Sequence, residues 1–219
     1  MQPVAGAQAT AVIDLFLAGG PVMYPLLLCS LIAVAMIIEQ AVTWMRLRRG
    51  RRYDLLTELL LDPLKPIAEE TRRELSRDVV ARVMLVGLEP PLAEASIKMQ
   101  LSADEAAEIA ERNLEMLSTM VTLTPLLGIF GTVLGIIESF QLLGAAPIQD
   151  PVAASGGLAK ALLTTAFGLA IAMPCLIAHR YFQLRALALR RELERRCNAL
   201  LAQLHRHTSN GGRQSGQAG

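Results

Sequence analysis

The sequence predicts an all-α membrane protein with three transmembrane helices, the second and third extending as long helices into a cytoplasmic helical domain. Three observations predict it. Of 219 residues, 53% are hydrophobic and only 4% aromatic, an aliphatic excess unusual in a soluble domain, and the mean hydropathy is +0.39. Three apolar runs, 21–43, 117–143 and 158–179, each reach the roughly 20 residues needed to cross about 30 Å of hydrocarbon. Basic residues gather on alternate flanks of those runs, as they do in multi-pass proteins.

Residues 1–20 contain no Lys or Arg and are read as an outer N-terminal segment. The run 21–43 carries only Glu39 near its end. With no basic stretch before it and a length beyond that of a signal peptide's apolar core, it reads as a span rather than a cleaved leader. Arg46, Arg48, Arg49, Arg51 and Arg52 follow at once and place segment 44–116 inside. Within that segment 53–61 reads as a short amphipathic helix ended by Asp62-Pro63, and 67–88 as a second helix ended by Glu89-Pro90-Pro91. From Pro91 onward no breaker precedes the span 117–143, so one uninterrupted rod is expected there.

The connection 144–157 has no basic residue and is read as an outer loop. After the span 158–179 come Arg180, Arg185, Arg190, Arg191, Arg195 and Arg196, which put the C-terminus inside. Residues 180–207 lack Pro and Gly and repeat Leu at helical spacing, which predicts a cytoplasmic C-terminal helix. Residues 208–219 are rich in Gly, Gln and Ser and read as a disordered tail. Each span must be helical, because an open strand leaves backbone groups unpaired in lipid.

Net charge is +1, so no bias toward nucleic acid is present. Cys29, Cys175 and Cys197 are far apart and have no metal-ligand spacing. No catalytic residue, cofactor site or metal site is read. A membrane enzyme needs a Ser–His or paired-Asp constellation in its spans; none of them contains an Asp or a deep His.

Three stretches carry a resemblance: GGPVMYP at 19–25, LTPLLGIFGTVLG at 123–135 and GGLAKALLTTAFGLAIAMP at 156–174. Together they resemble the MotA/TolQ/ExbB proton channel family, nearest its ExbB and TolQ branch. The three-span order departs from the four-span MotA branch. The resemblance implies a ring, commonly a pentamer, in the bacterial inner membrane, with spans two and three lining a pore. It implies a one-span ExbD- or TolR-like partner whose membrane Asp accepts the proton. It also implies a TonB- or TolA-like energy transducer and coupling of the proton-motive force to transport or another envelope process. Pro125 and Pro174 match family positions and are expected to shape the pore.

The residues add their own reading. Gly128, Gly131 and Gly135 in span two, and Ala161, Ala166, Gly168, Ala170 and Ala172 in span three, permit close helix approach. They serve either a ring or packing within one subunit. Span one is bulky, including Leu26 and Leu31, and is read as lipid-facing. Thr132 lies 15 residues above Leu117, roughly 22 Å, and Thr165 lies 14 residues above His179, roughly 21 Å. The two hydroxyls thus share a depth. They form a polar belt facing a pore, or each bonds back to its own helix.

Lys160 stands where the resemblance implies a functional Glu, and so inverts that charge. Lys160 and Glu138 also lie at matching depth, roughly 29 and 32 Å up their helices. A pair between them is expected, the alternative being a Lys that reaches the outer headgroups. Thr132, Thr165, Lys160 and Glu138 are therefore the candidate pore and proton-pathway residues. A structural scaffold with altered or lost conduction is the competing function.

Overall fold

In the computed structural model the backbone is described for residues 16, 18–48, 67–145 and 151–215, and side chains for 16, 18–47, 67–141 and 155–206. The expectations for residues 1–15 and 17, and for the helix at 53–61, lie outside the described residues. Those that are described form helices: α1 (Met23–Arg48), α2 (Glu69–Leu75), α3 (Val79–Gly87), a 3₁₀ turn (Leu92–Glu94), α4 (Ala95–Glu111), α5 (Leu114–Ala145) and α6 (Pro151–Ser215). Three stretches are long and apolar enough to cross a membrane: Met23–Leu47, Leu92–Gln141 and Ser155–Arg206. The chain is a multi-pass membrane protein by that measure.

It divides into two compact units, Met1–Ile38 with Leu114–Tyr181, and Glu39–Asn113 with Phe182–Gly219. In the first, α1 buries Met23, Leu26, Cys29, Ala33 and Met36 along one stripe, the spacing that puts side chains on one helical face. Cys29 and Ala33 join Leu117, Met120 and Cys175 in one cluster. The opposite face, with Tyr24, Leu28, Leu31 and Ile38, is exposed. Leu26 is only 1% exposed, which corrects its reading as lipid-facing: an apolar run alone does not reveal which stripe meets the neighbouring helices.

In the second unit the expected helix over 67–88 is two helices. Asp78 breaks it by capping α3, its Oδ1 accepting from Val80 N at 2.8 Å and Ala81 N at 3.4 Å. Aspartate at an N-cap competes well with mid-helix placement. Helices α3 and α4 pack together, with Gly87 against Met99 and Val80, Val83, Met84, Ala95 and Met99 all buried, and Lys98 Nζ donates to the Pro90 carbonyl at 3.1 Å.

The expected rod from Pro91 into span two is present as one long helical stretch, Leu92–Gln141, with Arg112 and Asn113 as turn residues between α4 and α5. Arg112 keeps helical dihedrals, φ −44° and ψ −42°. Gln40 Nε2 donates to the Ala110 carbonyl at 2.7 Å, and Arg112 lies 3.7 Å from Glu39. Long-range side-chain partners thus take over a carbonyl at the end of α4, which local sequence cannot show.

At the other end of the apolar hairpin, α5 continues to Ala145 and α6 already begins at Pro151. The segment 151–157, expected as loop, is therefore helical. Proline suits the first helical position because its fixed φ is helical and its missing N–H has no role there. α6 also runs on to Ser215, into the expected tail, because adding residues to an existing helix costs far less than nucleating one.

Candidate functional site

The first unit is organised by a seam between α5 and α6. Along this seam α5 buries Thr124, Gly128, Gly131, Gly135 and Ser139, and α6 buries Gly157, Ala161, Thr164 and Gly168. Steps of three and four residues keep each set on one helical face. The contacts run in opposite senses along the two helices: Gly168 meets the Thr124 carbonyl, Gly131 meets Thr164, Gly135 meets Ala161, and Gly157 meets Ser139. The pair is therefore antiparallel, with backbones close enough that added Cβ atoms collide. A Cβ on Gly168 would stand 2.7 Å from Thr124 O and 3.1 Å from Gly128 Cα. Gly128, Gly131, Gly135, Ala161 and Gly168 thus meet their neighbours within this chain. Ala166 and Ala170 point out of this seam and are exposed.

Hydroxyls pair across and beside it. Thr165 Oγ1 donates to the Gly128 carbonyl at 3.0 Å. Thr164 Oγ1 donates to Ala161 O at 2.7 Å and reaches Gly128 O at 3.4 Å. Thr132 donates back to Ile129 O on its own helix. The two threonines expected as a belt thus turn to the adjacent α5 carbonyls 128 and 129, one across the seam and one locally. Both are half-buried, and their oxygens remain able to accept.

Thr124 and Thr164, at 0% and 1% exposure, were not singled out from the sequence. The signal for Thr164 is its spacing, three residues after Ala161 and four before Gly168. Thr124 lies four residues before Gly128 in the same way. Pro125 and Pro174 lie inside α5 and α6, and neither ends its helix. Membrane helices tolerate this when neighbours re-satisfy the freed backbone groups.

Toward the interhelical connection, Lys160 Nζ lies 2.7 Å from Glu138 Oε2. Helices α5 and α6 thus bring together the two charges that the sequence placed at one depth. Gly20 stands against the same lysine: a Cβ on it would collide with Lys160 Cε. Its φ of +72° is one that side-chain-bearing residues rarely adopt. The turn entering α1 therefore fits closely over the stem of Lys160. The side chains of Lys160 and Glu138 are 25% and 51% exposed, so the pair is held by a packed stem on one side and open on the other.

Among the described residues no cluster of three or more His, Cys, Asp or Glu side chains is placed to hold a metal.

Residues 70–195, more than half of the chain, match the MotA/TolQ/ExbB proton channel family. An ExbB-like protein of Synechocystis sp. (ExbB-like 1) is 32% identical over 81% of this chain and 73% of its own length. The biopolymer transport protein exbB1 of Vibrio cholerae is 30% identical over 76% and 77%, and the Tol-Pal system protein TolQ of Haemophilus influenzae is 32% identical over 53% and 54%. With three apolar spans, a glycine-lined hairpin and this extent of match, the chain belongs to the MotA/TolQ/ExbB proton channel family, on its ExbB/TolQ side.

Proposed function

We propose that this protein is a ring-forming subunit of an inner-membrane channel driven by the proton-motive force, with its N-terminus periplasmic and its C-terminus cytoplasmic. The observation that carries the reading is the α5–α6 hairpin, which belongs to a proton channel family and whose spans hold a single carboxylate, Glu138, paired with Lys160. Both span-two and span-three windows lack Asp, and Glu138 sits paired near one end. A subunit so built supplies a wall of small residues and hydroxyls, and the proton-accepting carboxylate comes from a partner. That partner is a one-span ExbD- or TolR-like protein with a membrane Asp, and the motion it drives serves transport or another envelope process.

Lys160 favours a second reading on a specific observation. It neutralises Glu138 at 2.7 Å, so the pair offers no net charge to attract a cation. The ring is then a scaffold of the same fold with altered or lost conduction.

The test is co-expression with an ExbD- or TolR-like one-span protein, native mass spectrometry of the extracted complex, and proton flux in liposomes. A closed oligomer holding the partner, with flux that depends on the partner's Asp, is expected. A closed oligomer without flux selects the scaffold. A monomer that never retains the partner overturns both.

A further inference from the structure

Asp78 does more than cap α3. It is only 2% exposed, and its Oδ1 already accepts the Val80 and Ala81 N–H groups. Its Oδ2 is shielded from solvent and, among the described residues, has no hydrogen-bond partner. The same holds for Trp44 Nε1. A tryptophan at the end of a span ordinarily presents its N–H to the headgroup region, but this one is enclosed. One orphan is a donor and the other an anionic acceptor, and both residues line one cavity of about 50 Å³. Arg185 lines it too, and Val80, Ala188 and Leu189 provide apolar wall.

Buried polar groups in native proteins are almost always satisfied, by protein or by ordered water. A single water needs only about 10–15 Å³ of such space and two to four polar partners, so this cavity has room for several. Charge selects the ligand. A bare cation meets the basic Arg185 in the lining, and a bare anion meets Asp78. A neutral molecule that both accepts and donates fits the pair.

We propose that the cavity lined by Trp44, Asp78 and Arg185 is an internal water-binding site, in which ordered water accepts from Trp44 Nε1–H and donates to Asp78 Oδ2. The water cross-links the end of α1, the start of α3 and the Arg185–Leu189 turn of α6, all within one unit. Asp78 is then a two-armed residue, one oxygen holding a helix start and the other a solvent bridge. The inference stands apart from the channel reading and fails or holds independently of it.

Trp44 is the only tryptophan in the chain, which makes the site directly observable. The full-length protein, perdeuterated and carrying ¹⁵N-indole tryptophan in detergent micelles, yields one indole N–H resonance. Expected are dipolar cross-relaxation between that proton and long-lived water, and protection from a soluble paramagnetic agent. Ala188→Leu, which fills the cavity, should abolish the water contact. Asp78→Asn keeps the capping oxygen but replaces the second acceptor with an N–H donor. It should therefore shift the resonance, which a purely capping role would leave in place. A protected indole with no water contact in the wild-type protein means a dry cavity and overturns the proposal. An indole as accessible to the paramagnetic agent as free tryptophan means an open surface and overturns it equally. The wild-type measurement decides even if a variant fails to fold.

Discussion

Gly168→Ala and Gly156→Ala place the same methyl group on the same helix with opposite expected signs. Around Gly156 an added Cβ meets nothing within 4 Å. There the substitution only removes glycine's excess freedom, a gain of about 0.5–1 kcal/mol in a helix. At Gly168 the Cβ stands 2.7 Å from Thr124 O, 3.1 Å from Gly128 Cα and 3.3 Å from Gly128 N. All three are backbone atoms, so no rotamer change relieves the contact, and α5 and α6 must part by several tenths of an ångström. The Thr165–Gly128 bond at 3.0 Å and the Thr164–Gly128 contact at 3.4 Å stretch with them. Overpacking of this kind costs about 1–3 kcal/mol, which outweighs the helical gain and leaves a net loss of about 1–2 kcal/mol. For a chain of this size that corresponds to a fall in Tm of about 4 °C, against a small rise for Gly156→Ala. Thermal unfolding of the two variants in one detergent reads the difference. Equal shifts in the same direction would show that the seam is not closely packed in the folded protein.

Reversing either charge alone, Lys160→Glu or Glu138→Lys, sets like charges at the 2.7 Å contact and should lower Tm; the double swap should recover most of the loss, and a failure to recover would dissolve the pair. Gln40→Leu strands the buried Ala110 carbonyl that Gln40 now satisfies and should destabilise by about 1–3 kcal/mol; chemical unfolding measures it, and a neutral result would mean that water replaces the amide. Glu192, in the segment read as cytoplasmic, is pushed up by burial, but hydrogen bonds from Arg196 and Arg195 outweigh this and hold it below the ordinary 4.5. A lowered folded pKa contributes stability that is full above the unfolded value and lost as pH falls through the folded one. Glu192→Gln should therefore flatten the acid side of a stability–pH curve, and an unchanged acid side would deny the coupling.

The apolar spans and the Lys160–Glu138 contact were legible because both follow from distance along a helix of known rise. Asp78 was not, since an aspartate within a mixed-charge stretch looks like any solvated helix position until its backbone partners are known. The turn at Arg112–Asn113 was hidden for a related reason: what accompanies it is Gln40, 70 residues from Ala110. Thr164 was overlooked beside Thr165 because adjacent residues point about 100° apart on a helix and only the face decides which is enclosed. The glycines signalled close approach, yet nothing in their pattern says whose backbone approaches.

That last point governs where a ring's contacts are to be sought. Gly128, Gly131, Gly135, Ala161 and Gly168 meet their neighbours between α5 and α6 of one chain. These helices leave outward Leu126, Phe130 and Val133 on α5 and Leu162, Leu169 and Met173 on α6, with the small Ala166 and Ala170 exposed among the latter. Lipid tails are as apolar as these side chains, so burying them against a second copy gains little from the hydrophobic effect and must rely on shape and on polar contacts. Large side chains also hold helix axes toward the wide end of the usual 8–10 Å separation. In the ring proposed above, these outward faces are the ones available to a second copy or to a partner helix. The rigid element within it is the hairpin itself, pinned by the Thr165–Gly128 bond at mid-depth and by Lys160–Glu138 near the connection. In the proposed assembly, motion then falls between hairpins and the partner rather than within a seam whose backbones already touch.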